Sequence, residues 1–169
     1  MNSEASTKLV NDELDRRLGR LEIPEERYRA DIDLHDRSLS FSAELVRLAL
    51  AGIAVVGFLI ANAPVDRVSA VFDDNLLKTL ISLALAALAA TAAFALLHRF
   101  YAGGAAFHHL QVVKLLFLDD PALDPNLKKE LDERTALFMR SHRFLRLASI
   151  LLVLGAIFLG VAFVRFLFT

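Results

Sequence analysis

Five histidines, His35, His98, His108, His109 and His142, are the side chains best suited to chemistry in this sequence. Imidazole is the commonest metal ligand and titrates near neutral pH. One reading is therefore a metal- or haem-binding protein that uses these histidines. His98 and His109 lie eleven residues apart, so an unbroken helix would place them on one face. Against this reading, no HExxH or histidine-box spacing occurs, and the pair His108-His109 equally suits a helix end or a lipid interface. No metal and no cofactor are expected. Ser141, His142 and Asp132 supply the residue types of a nucleophilic triad, but no nucleophile elbow surrounds the serine. There is no phosphate-binding glycine loop. Cysteine is absent, which removes disulfides, thiolate metal sites and Cys nucleophiles. The expectation is that the protein is not an enzyme.

Two ionisable residues stand close to an apolar segment. Glu44 and Arg47 are three apart, the spacing of a helical ion pair, and Arg47 can snorkel to headgroups. An intramembrane charge is otherwise a functional candidate. Gly103-Gly104 reads as a hinge or close-packing point. Gly52 and Gly57, and Gly155 and Gly160, are each five apart, which misses the four-residue spacing of a helix-dimer motif. The aspartate pairs Asp73-Asp74 and Asp119-Asp120 read as loop and cap residues.

The elements that must position these residues follow from charge segregation. The chain has 169 residues, 56 % of them hydrophobic, with a net charge of −1. Three windows carry no charged residue: Leu48–Val65, Thr79–His98 and Leu147–Val164, of 18, 20 and 18 residues. A hydrocarbon layer about 30 Å thick needs about 20 helical residues. The fold class is an all-α membrane protein with three transmembrane helices, from which amphipathic cytoplasmic helices extend. Residues 1–43 are cytoplasmic helices, 44–63 the first span and 64–75 an external loop. Residues 76–98 are the second span, 99–145 a cytoplasmic helical hairpin and 146–165 the third span. The whole forms one helical membrane unit. The first 40 residues hold no apolar core of a signal peptide, so the first span is expected to act as an uncleaved anchor.

Within this plan, residues 6–21 form a short amphipathic helix. Pro24 starts a second that continues to Asn62, with Tyr28, Ile32, His35 and Leu39 on one face. The second span places Ser82, Ala86 and Ala90, and Ala89 and Ala93, at four-residue spacing for close helix approach. Residues 100–118 continue that helix, in preference to entering the membrane as a fourth span. Asp124-Pro125 pairs a capping residue with proline at the first helical position. The helix it starts has an apolar stripe of Leu127, Leu131, Phe138 and Leu145.

Lysine and arginine alternate between loops. Seven precede the first span, with Arg47 at its mouth; two separate spans one and two; eight separate spans two and three; Arg165 follows alone. The positive-inside rule places the N-terminus in the cytoplasm and the C-terminus outside, in a bacterial inner membrane. Arg140, Arg143 and Arg146 then meet the inner headgroups. The near-zero charge gives no sign of nucleic-acid binding. The partners expected are the lipid bilayer and either a second copy or another protein at the cytoplasmic face. The leading function is interaction or self-association through the cytoplasmic helices. An alternative is an oligomeric pore or membrane-disrupting effector of bacterial defence, whose polar stripe would be Thr79, Ser82 and Thr91.

Overall fold

The computed structural model describes residues 29–62, 64, 69, 73–118 and 124–168. The helix expected over 6–21, its successor's start at Pro24, Tyr28, and the Asp119-Asp120-Pro121 turn lie outside these residues. The described residues fold into three α-helices and no strand. They are α1 (Arg29–Asn62), α2 (Asn75–Leu118) and α3 (Asp124–Phe168). Each is long and apolar enough to cross a membrane. At 1.5 Å per residue α2 and α3 are about 65 Å long, twice the hydrocarbon thickness of about 30 Å. α2 passes through Gly103-Gly104 as helix, and α3 passes through Arg146 as helix.

The chain divides into two compact units. Of the described residues, the first joins those of Arg37–Tyr101 with those of Met139–Thr169, and the second joins Arg29–Asp36 with those of Ala102–Phe138.

In the first unit the buried positions recur at alternating steps of three and four. On α1 they are Ser42, Leu45, Ala49 and Val56, with half-buried Ser38 and Gly52 on the same seam. On α2 they include Leu77, Ala84, Leu88, Thr91, Ala95 and His98. On α3 they include Ser141, Ala148, Gly155 and Ala162, with half-buried Phe144 and Leu151 on the same seam. A mean step of 3.5 residues keeps one seam of each helix facing its neighbours. The seam residues are mostly small. Lipid tails are as apolar as leucine, so helices associate in a bilayer through close packing and hydrogen bonds instead of through escape from water. Leu45, Ala95 and Ala148 form one such contact, and Leu77 with Ala162 another.

Leu88 is the tightest feature of the seam. It lies between glycines of the two flanking helices. A Cβ on Gly52 would stand 2.9 Å from its Cδ1, and one on Gly155 would stand 3.0 Å from its Cδ2 and 3.1 Å from its Cγ. Around Gly57 and Gly160 a Cβ would meet nothing within 4 Å. The five-residue glycine pairs therefore split, one member of each in the seam and one outside it.

The expected close-packing alanines of α2 are corrected by this seam. Ser82, Ala86, Ala89 and Ala93 are exposed and Ala90 is half-buried. Ala84, Ala87 and Ala95 are the buried alanines of this stretch. Four-residue steps drift away from a seam that repeats every 3.5 residues.

Candidate functional site

One end of the first unit carries a buried polar layer with a contribution from each helix. Ser38 Oγ of α1 lies 3.1 Å from His98 Nε2 of α2. Ser141 Oγ of α3 reaches the His98 carbonyl oxygen at 3.5 Å. Ser42, one turn beyond Ser38, donates to the Leu39 carbonyl at 2.8 Å and is fully buried. His98 is only 1 % exposed. Above and below it on the same face of α2 stand Phe94 and Tyr101. Both rings stack on Phe144 of α3, with centroids 5.8 Å and 5.3 Å away. A hydroxyl and an imidazole nitrogen at this separation have the geometry of a nucleophile and its base. Here the imidazole is sealed, so no solute reaches Nε2. What the contacts do is join three helices at one level through groups that would be costly to leave unbonded away from water.

The opposite end of the first unit is closed by an ion pair. Asp74 accepts backbone N–H groups of Leu76 at 2.9 Å and Leu77 at 3.2 Å through Oδ1, capping α2. Its Oδ2 accepts from Arg165 Nε of α3 at 2.6 Å. The hydrogen bond from Arg165, aided by the two backbone donors, holds the Asp74 carboxyl below its ordinary value. Asp74 therefore acts as the expected cap.

The second unit holds the histidine pair. His108 Nδ1 donates to Glu130 Oε2 at 2.6 Å, and Arg134 Nη1 donates to His109 Nδ1 at 3.1 Å. Arginine is always a donor, so in this contact His109 Nδ1 is the acceptor. Glu130 and Arg134 are four apart on α3, one turn, and each meets one of two consecutive residues of α2. Gly104 allows the helices to approach, since a Cβ there would stand 3.2 Å from Leu137 Cδ1, whereas one on Gly103 meets nothing within 4 Å. Of the glycine pair only Gly104 is a close-packing point.

The remaining expected residues fall as follows. Glu44 and Arg47 form an exposed ion pair at i, i+3. Arg140, Arg143 and Arg146 are exposed. Phe138 was expected in the apolar stripe of α3, yet it is 62 % exposed. Leu127, Leu131 and Leu145 of that stripe are half-buried, and Leu137 is half-buried where Phe138 is not; Glu130 and Arg134 share the step of three and four with Leu127 and Leu137. The triad types do not meet: Ser141 is buried, whereas its neighbour His142 and Asp132 are exposed. Adjacent helical residues point about 100° apart. The polar stripe drawn for a pore is also divided. Thr91 is buried and donates to the Ala87 carbonyl, while Thr79 and Ser82 are exposed. Among the described residues no three His, Asp or Glu side chains gather as a metal site would require.

The layer of half-buried Ser38 and buried His98 and Ser141 was not assembled from sequence. Its signal is present, because each member lies on the three-and-four step of its helix. No family model matches the chain. No curated protein and no solved structure matches it either.

Proposed function

We propose that this chain is a non-enzymatic, multi-pass protein of a bacterial inner membrane that works by interaction. Its N-terminus lies in the cytoplasm and its C-terminus outside. Amphipathic cytoplasmic helices continue from the spans, and through them the protein associates with a second copy or another protein, not with nucleic acid. The orientation rests on the alternation of lysine and arginine between loops.

The carrying observation is in the second unit. Between Ala102 and Phe138 the sequence has ten charged residues, which belong in water. The same segment exposes Phe107 and Leu110, one turn apart on α2. Large apolar side chains grouped on a water-facing surface mark an interaction site. The sealed His98 layer fits the same reading, since it fixes helix register and offers no opening to a substrate.

The test is a photo-crosslinking residue at position 107 of the full chain in native membranes. An adduct at twice the chain mass supports self-association, and one of another discrete mass supports a partner. Crosslinking to lipid alone, or none, overturns the reading.

A further inference from the structure

The level of the His98 layer is also where the first unit concentrates its positive charge. In the segments 37–47, 96–101 and 139–147 there are six arginines, Arg37, Arg47, Arg99, Arg140, Arg143 and Arg146, and one acid, Glu44. All six arginines are exposed. The contacts of Ser38 and Ser141 with His98 place the three segments side by side. Glu44 bonds Arg47, so these segments contain no acid for the other five. The far end of the unit differs. There Asp73, Asp74, Lys78 and Arg165 sum to zero, and Arg165 is bonded to Asp74.

Exposed apolar side chains are interleaved with the arginines: Phe41, Phe100, Met139 and Leu147. We infer that this arginine girdle binds the phosphate headgroups of anionic phospholipids, with the interleaved apolar side chains against their acyl chains. Guanidinium forks match phosphate oxygens in pairs. A soluble phosphate would use only the charge, whereas a phospholipid uses the charge and the apolar surface together. The charge difference between the two ends makes the binding one-sided, so the girdle selects the leaflet richer in anionic lipid. The inference rests on the helices lying in a bilayer and not on the orientation, self-association or partner proposed above.

The experiment titrates the full chain, in neutral detergent, with phosphatidylglycerol or phosphatidylcholine and follows bound lipid by native mass spectrometry. Phosphatidylglycerol should bind more tightly, and the preference should disappear as salt is raised to about 0.5 M. Each arginine near a headgroup is worth about fivefold, so R140Q/R143Q/R146Q should weaken phosphatidylglycerol on the order of 100-fold and leave phosphatidylcholine unchanged. Glycerol 3-phosphate should not displace the bound lipid. If the triple variant does not fold, R99Q and the salt titration of the unaltered chain carry the test. Equal binding of the two lipids, a preference indifferent to salt, no loss in the variants, or displacement by glycerol 3-phosphate would each overturn the inference.

Discussion

Gly155→Ala tests the packing argument at its tightest point. The new methyl would lie 3.0 Å from Leu88 Cδ2 and 3.1 Å from Cγ, well inside ordinary contact. Leu88 has little room to retreat, because it is only 2 % exposed and its other branch packs on Gly52 of α1, where an added Cβ would stand 2.9 Å from Cδ1. Overpacking of a well-packed contact costs about 1–3 kcal/mol. Replacing a helical glycine by alanine returns about 1 kcal/mol through backbone entropy. The net expectation is a loss of about 1 kcal/mol, or a fall in Tm of about 2–4 °C for a chain of this size. Gly160→Ala meets nothing within 4 Å and should be neutral or slightly stabilising. Leu88→Ala alone leaves a cavity and should cost about 2–5 kcal/mol. Combined with Gly155→Ala it should cost less than the sum, with a coupling of about 1 kcal/mol or more. The assay is thermal unfolding of the four variants in one mild detergent. If Gly155→Ala melts with Gly160→Ala, and the double variant is additive, Leu88 is not held between the glycines.

Three further outcomes are expected. Because the folded Asp74 carboxyl lies below its ordinary value of 3.8, its stabilisation is complete above that pH and is lost as pH falls through the depressed value. Melts from pH 5 downward should therefore show an acid loss that shrinks in Arg165→Gln; an equal loss in both would refute the pairing. Leu137→Asp, at a half-buried position against Gly104, should lower the melting temperature by placing a charge in an apolar contact, whereas Phe138→Asp should leave the melting temperature of the isolated chain almost unchanged; equal losses would restore Phe138 to the stripe. Ser69→Cys should react with an impermeant thiol reagent outside intact cells and Asp120→Cys should not; labelling at position 120 would overturn the proposed three-span topology.

The sequence by itself determined that the chain is helical and has three segments able to cross a membrane. Both follow from local composition: an uncharged run about 20 residues long has few alternatives in lipid, where every backbone group must be bonded within its own segment. The cap of α2 at Asp74 and the Glu44–Arg47 pair were also legible, because each joins residues within one helical turn. What the tertiary structure decided is which face of each helix is inside. In water the apolar stripe announces that face, but in a lipid-soluble span nearly every residue is apolar and the stripe carries little information. Ser82, Ala86 and Ala89 therefore looked equivalent to Ala84 and Ala95 until the neighbouring helices selected the latter. The choice of Leu137 over Phe138 is the same decision one residue apart. The partners of Asp74 and His98 lie far along the chain, at Arg165, Ser38 and Ser141. No local spacing links such groups; only the packing of α1, α2 and α3 brings them to a common level.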